Sequence, residues 1–268
     1  MTDTGGDRAA ALKRAMADKR LTFGSWLSFS DTFLAEMMVR IGGFDWAVVD
    51  MEHSATSFEG QGRLIQTIDQ AGAVPFVRLG ANEPFMIKRA LDCGAFGIIV
   101  PQVNAPDEAR AAVNAAHYPP SGARGVGLFR AQNYGLGFPE YRQKSGARTI
   151  VVAQIEHYRA VEQLDAILAV DGIDGFLIGP YDLSGSLGKP GEFEAPEVIE
   201  LFDTLEQTLR DHPKPGGFHV VQSDAQQLRR RIDQGARFMA YGTEMVFLAE
   251  KLAQEAETLH GIKESQTP

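Results

Sequence analysis

Short apolar runs alternate with longer amphipathic stretches eight times along this chain, and that rhythm restricts the fold more than any other feature. Runs at residues 22–27, 45–49, 74–79, 97–100, 150–155, 175–178, 217–221 and 238–241 have the length and composition of buried strands. Between them, residues 31–41, 58–71, 83–91, 105–116, 160–169, 196–211 and 223–234 read as helices. Ser30 and Asp31 are placed to cap the first helix, and Gly72, Gly94 and Gly235 to stop three others. Strands that each hand over to a helix run parallel, with helical crossovers. At this length the natural closed form is an α/β fold, a single (β/α)8 TIM barrel. The competitor is an open doubly wound sheet, which usually carries a G-x-G-x-x-G turn after its first strand. Here that position holds Ser28-Phe29-Ser30-Asp31, with no such turn.

The 268 residues, 44% of them hydrophobic, suffice for one large core. One domain is expected over 1–268, with the barrel at about 21–247 and a C-terminal helix beyond it. Residues 248–259 carry the helical pattern and 264–268 read as a frayed end. Residues 119–141, rich in Gly and Arg, form the one long irregular insertion, and loops of that length are often functional. A net charge of −9 argues against a nucleic-acid partner. Cys93 is the single cysteine, so neither an intrachain disulfide nor a Cys-rich zinc site is available. No run approaches the roughly 20 apolar residues of a membrane span. The first residues lack the basic-then-apolar order of a signal peptide. A cytoplasmic protein without membrane contact is expected.

In a barrel of this kind chemistry gathers at the carboxyl ends of the strands. Read in order, those ends offer Trp26, Asp50 with His53, Arg78, Pro101-Gln102, Gln154 with Glu156, and Gly179-Pro180-Tyr181-Asp182. Glu156 and Asp182 follow neighbouring strands and suit a hard divalent cation, which commonly takes only one or two protein carboxylates and completes its shell with water. Mg2+ or Mn2+ is the expected ion, with Co2+, Ni2+ or Zn2+ as alternatives. The competing reading makes both residues ordinary helix-capping acids. His157 follows Glu156 directly and, on an extended chain, points to the opposite face. Arg78 ends an apolar strand and implies an anion, either a substrate oxyanion or a structural partner acid. His53 is either an acid/base near Asp50 or a loop histidine. Trp26 lies at a strand end, where it is core or ligand contact. The sharp turn at Gly179-Pro180 places the amides of Tyr181 and Asp182 where a carboxylate could bind. Arg124 and Arg130, in the insertion, are candidates for an anionic substrate tail or for plain solvent exposure. His219, inside the seventh strand, reads as a satisfied interior histidine.

Taken together, Asp50-Met51-Glu52-His53, Pro75-Phe76-Val77-Arg78, Gly97-Ile98-Ile99-Val100-Pro101, Gln154-Ile155-Glu156 and Gly179-Pro180-Tyr181-Asp182-Leu183-Ser184 resemble the HpcH/HpaI family of class II aldolases, in the same order and similar spacing. The resemblance implies a metal-dependent lyase that cleaves a 4-hydroxy-2-oxo acid to pyruvate, or hydroxypyruvate, and an aldehyde. It implies Glu156 and Asp182 as metal ligands, Gln154 beside the oxo acid, Arg78 on the enolate, and His53 as acid/base. It also gives Asp92 as a supporting carboxylate. Asp92 ends a helix at the opposite mouth of its own barrel, so it would serve His53 only across a subunit contact, with Asp50 as the local alternative. The family commonly forms homohexamers with an exchanged terminal helix, a part that 248–259 could play. Thr243-Glu244 stands where the family more often has Ser-Asp.

Three other functions compete. A Schiff-base aldolase needs a desolvated lysine at a strand end, and none of the expected ends carries one. A coenzyme A thioester lyase on a similar barrel would need a basic groove for the nucleotide. A non-catalytic 2-oxo-acid binding protein would need none of the acid/base groups.

Overall fold

A computed structural model describes residues 4–266 and closes the eight strands into one parallel barrel in sequence order. The strands are β1 (Thr22–Leu27), β2 (Trp46–Asp50), β3 (Val74–Arg78), β4 (Gly97–Val100), β5 (Ile150–Ile155), β6 (Gly175–Ile178), β7 (Gly216–Val220) and β8 (Phe238–Thr243). The helices are α1 (Thr4–Ala17), α2 (Thr32–Gly42), α3 (Phe58–Ala71), α4 (Pro84–Cys93), α5 (Pro106–Ala116), α6 (Phe138–Lys144), α7 (Tyr158–Glu162), α8 (Leu164–Leu168), α9 (Pro180–Ser186), α10 (Pro196–Asp211), α11 (Ala225–Asp233) and α12 (Glu244–Ser265). The expected barrel is observed, with strand ends within two residues of those read from the sequence. Asp31 caps α2 by accepting from the Leu34 amide at 2.8 Å. Gly72, Gly94 and Gly235 all adopt positive φ just past their helices, as their C-terminal positions require.

The pleat decides what faces the axis. With a period of two, Trp46, Val48 and Asp50 on β2 face inward, as do their register partners Val74, Phe76 and Arg78 on β3. Large rings fill the lower barrel: Trp46 stacks on Phe238 at 4.0 Å and lies 5.5 Å from Phe76. Glycine makes this packing feasible, because a Cβ at Gly24 would come within 2.1 Å of the Trp46 ring. The same holds at Gly97 against Phe76. A second apolar layer, including Val49, Ile65, Val77 and Ile98, packs between the barrel wall and the helices.

Several elements depart from the sequence reading. Helix α1 was not expected; its Ala9, Leu12 and Met16 close the amino-terminal mouth against the inner core. Lys13 Nζ latches it by donating to the Thr149 carbonyl at 2.5 Å. Residues 160–169, read as one helix, are split into α7 and α8 at Gln163. The insertion is only partly irregular: 3-10 turns at Arg130–Gly135 and helix α6 order its second half. The end read as frayed is helical through Ser265, and residues 267–268 lie outside the described residues. Among the described residues no helix is long and apolar enough to cross a membrane.

Candidate active site

The same pleat that buries Phe76 and Trp46 turns polar at the carboxyl mouth. Asp50, one step beyond Val48, faces Arg78, one step beyond Phe76, as direct register partners. They bind in two nearly parallel contacts, Arg78 Nε to Asp50 Oδ1 at 3.0 Å and Nη2 to Oδ2 at 2.6 Å. Burial raises the proton affinity of Asp50, but the Arg78 guanidinium outweighs it and holds the carboxyl below the ordinary range. Asp50 Oδ1 also accepts the main-chain amides of Glu52 and His53, which fixes the turn after β2. Arg78 lies over Trp26 at 5.4 Å and within 3.4 Å of Glu52.

Gln154 faces the axis on β5, and Glu156, two residues on, shares its face. The buried Glu156 carboxylate accepts from the Gln154 side-chain amide and from the Gln102 main-chain amide at 2.7 Å. Gln102 adopts positive φ to make that contact. Glu156 and Asp182 converge over Gly179: a Cβ there would meet Glu156 Oε2 at 3.2 Å and Asp182 Oδ2 at 3.9 Å. Burial, and then the Asp182 charge among weaker influences, push the Glu156 carboxyl above its usual range, against the hydrogen bonds it accepts. Two acids drawn together, one of them desolvated, form a donor set that fits a hard cation. Gln154 Oε1 beside them is buried without a hydrogen-bond partner, and so are Trp26 Nε1 and Glu52 Oε2. Among the described residues no third His, Cys, Asp or Glu joins the pair, so water or substrate oxygen would complete such a shell.

A cavity of about 540 Å3 opens at this mouth and is lined by Trp26, Arg78, Gln154, Tyr181 and Asp182, among others. Gly179 and Pro180 line it too, at the start of α9, a short helix the sequence reading treated as a turn. His219 is a further lining residue. Its ring stacks on Trp26 at 4.5 Å and its Nε2 lies 3.0 Å from the Gly242 carbonyl. Burial pushes its pKa down to about 4. The interior position was legible from the strand, while its place in the cavity wall depends on where the barrel fill ends.

His53 is largely exposed, with 70% of its side chain accessible, and its Nε2 is 4.0 Å from Glu52. Asp50 meets His53 only through the main chain, its oxygens being held by Arg78 and the turn amides. Glu52, not singled out from the sequence, is the carboxylate beside the ring, and burial raises its pKa. Asp92 ends α4 at the amino-terminal mouth, held by the buried Arg124 at 2.7 Å and by Gln132 at 3.3 Å. His157 caps α7, its Nδ1 accepting the Arg159 amide at 3.2 Å. Neither insertion arginine lines the cavity, contrary to the expectation of a substrate-tail contact. Arg124 is spent on Asp92, and Arg130 pairs with Asp69 at 2.6 Å near the far end of α3. The insertion joins α5 to the start of β5, and that connection belongs to the mouth opposite the site.

Over 241 residues the chain is 36% identical to a 4-hydroxy-2-oxo-heptane-1,7-dioate aldolase of Escherichia coli, covering 89% of this chain and 90% of that one. It is 34% identical over 244 residues to a hydroxypyruvate/pyruvate aldolase of Roseovarius nubinhibens, covering 90% and 93%. The crystal structure of an HpcH/HpaI aldolase/citrate lyase family protein from Burkholderia cenocepacia superposes with a TM-score of 0.87 at 29% identity, covering 94% and 99%. The profile of the same family matches residues 22–250, and the chain belongs to the HpcH/HpaI aldolase/citrate lyase family.

Proposed function

We propose that this protein is a carbon–carbon lyase, an aldolase that reversibly cleaves a 4-hydroxy-2-oxo acid to pyruvate or hydroxypyruvate and an aldehyde. The observation that carries the reading is the convergence of Glu156 and Asp182 at the same mouth as an Asp50-clamped Arg78. Family membership and the names of the aldolase relatives support it.

Glu156 and Asp182 would hold a divalent cation, Mg2+ or Mn2+ by their all-oxygen chemistry. Such an ion supplies Lewis acidity to the 2-oxo group. The chain's own groups do the rest. Gln154 orients the oxo acid, and the start of α9 at Tyr181 and Asp182 receives its carboxylate. His53 takes the proton of the 4-hydroxyl as the bond between C3 and C4 breaks. The electron pair moves through C3 to the 2-oxo oxygen, where the fixed charge of Arg78 stabilises the enolate. Protonation at C3 completes the keto acid, and C4 leaves as the aldehyde. Within one subunit Glu52 is the carboxylate beside His53, and a second copy's Asp92 could add to it.

The oligomer belongs to the same reading. Helix α12 leaves the barrel after Glu244 with Leu248, Leu252, Leu259 and Ile262 exposed, and α2 exposes Phe33, Met37 and Ile41. These two stripes fit an assembly, a hexamer as in the family, in which α12 packs on a neighbouring barrel. A coupled assay for pyruvate release from 4-hydroxy-2-oxo acids with added Mg2+ or Mn2+ tests the activity. Parent-level cleavage by Glu156→Ala or Asp182→Ala after chelation would overturn it.

A further inference from the structure

The cavity has a second end that the proposed chemistry leaves unused. Past Val221 and Phe193 it reaches α11, where Gln227, Arg230, Arg231 and Gln234 line it. These four positions are spaced i, i+3, i+4 and i+7, one face of a helix. Helix α11 therefore turns a cationic face to the cavity.

Neither arginine is neutralised by the protein. Among the described residues no carboxylate lies within 4.0 Å of Arg230 or Arg231, whereas Arg8, Arg78, Arg124 and Arg130 are all paired. Arg231 rests on the Phe218 ring at 4.2 Å, and its Nη1 donates to Gln234 Oε1 at 3.0 Å. Glu206, the acid nearest in charge, accepts from Gln234 at 2.5 Å and pairs with Arg210 at 3.6 Å. Arg230 is exposed with its guanidinium unpaired. Arg230 is exposed and Arg231 half-buried, so two adjacent guanidiniums on the cavity wall are open to an incoming anion. The cavity wall thus carries Asp182 and Arg78 toward the Glu156 end and two further guanidiniums at the other. The half-exposed Val221 and Phe193 between them suit a short carbon chain.

We propose that Arg230 and Arg231 are specificity determinants that bind the far end of the aldehyde half of the substrate and select aldehydes ending in an anion, a carboxylate or a phosphate. The proposal rests on the aldolase reading. The test measures aldol addition of pyruvate, with Mn2+ supplied, to three acceptors of matched length: carboxylate-ended, phosphate-ended and neutral. Exchange of the pyruvate methyl protons for deuterium, which needs no acceptor, is followed in parallel.

The wild type is expected to favour one anionic acceptor over the neutral one by about ten- to hundredfold in kcat/KM, the worth of one or two charge-assisted hydrogen bonds. That acceptor identifies the tail. Arg230→Gln should lower the ratio several-fold, chiefly through the aldehyde KM, and the double Gln variant should bring it near unity. Arg230→Lys should restore part of it. Arg230 is exposed, so its single variant keeps the test sound if Arg231→Gln disturbs packing on Phe218. A wild-type ratio near unity, or one unchanged in Arg230→Gln and the double variant, overturns the proposal; if deuterium exchange persists, the aldolase reading survives. Absence of exchange in the wild type overturns both.

Discussion

Arg78 and Asp50 are register partners on adjacent strands and meet through two parallel hydrogen bonds of 3.0 and 2.6 Å, with Asp50 almost wholly buried. A bidentate contact fixes the guanidinium plane as well as its position. Asp50→Ala removes one member of a buried pair and should cost about 3 kcal/mol of stability. It should also lower kcat/KM on the order of a hundredfold, by letting Arg78, the proposed oxyanion donor, wander. Because the two residues act as a unit, the Asp50→Ala, Arg78→Ala double variant should lose much less stability than the sum of the singles. Denaturant melts of the four proteins read this directly, and strict additivity would show that the pair is not coupled.

Glu156 and Asp182 make a second pairing, held together at some electrostatic cost. Like charges over Gly179 repel, and a cation relieves that repulsion. Added Mn2+ should therefore raise the melting temperature of the wild type and give a saturable binding isotherm. Asp182→Ala should abolish the isotherm. It should also be no less stable than the wild type in chelator, since the repulsion goes with the side chain. A melting temperature indifferent to Mn2+ would remove the basis for a cation at this pair.

The inward Asp50, Arg78, Gln154 and Glu156 were legible because they need only the local rule that strand neighbours alternate faces. What depended on closure was not. The contact of Glu244 with Ser28 and Phe29 exists because β8 meets β1, and nothing in either segment announces it. The arginine face of α11 is plain as a helical spacing, but which side of the helix faces a cavity is set by packing. Arg124 and Arg130 misled because length and composition marked their loop as functional. Chain order held the corrective, since a loop that precedes a strand belongs to the amino-terminal mouth.

Glu244 reaches the β1–α2 loop. It accepts the Ser28 amide, and the Phe29 amide at 2.6 Å, from a buried position. Glu244→Ala would strand two main-chain donors and should cost about 2 kcal/mol. Glu244→Gln, which keeps an acceptor, should cost less. Hydrogen exchange should quicken at Ser28 and Phe29 in the Ala variant; unchanged protection there would mean that the loop is held by other contacts.

His219 should make stability depend on pH in a defined direction. Burial lowers its folded-state pKa to about 4, while the unfolded chain binds a proton near the ordinary 6.5. Below 6.5 the unfolded state therefore gains protons first, and stability falls as pH drops from 6.5 to about 4. The loss from this one group is at most about 3 kcal/mol. Carboxylates titrate in the same window, so the informative quantity is the difference between the wild type and His219→Gln. That difference should change across the window and level off below it. Parallel curves would show that the ring is protonated as easily folded as unfolded.

Helix α12 has Glu244 as its only buried residue among those described, and from Leu248 onward every described residue is exposed. A helix of 22 residues carrying exposed Leu248, Leu252, Leu259 and Ile262 is poorly matched to solvent on its own. Helix α2 carries a second exposed apolar stripe, where Phe33, Met37 and Ile41 recur every four residues and are 81%, 50% and 80% exposed. Charging either stripe should have the same effect if the two meet between copies. Leu252→Glu on α12 and Met37→Glu on α2 are each expected to shift the protein from an oligomer to smaller species by light scattering. Circular dichroism of the barrel should change little, since neither side chain is buried within the subunit. If the isolated wild type proves monomeric at micromolar concentration, or if both charged variants keep its assembled mass, the two stripes are not partners.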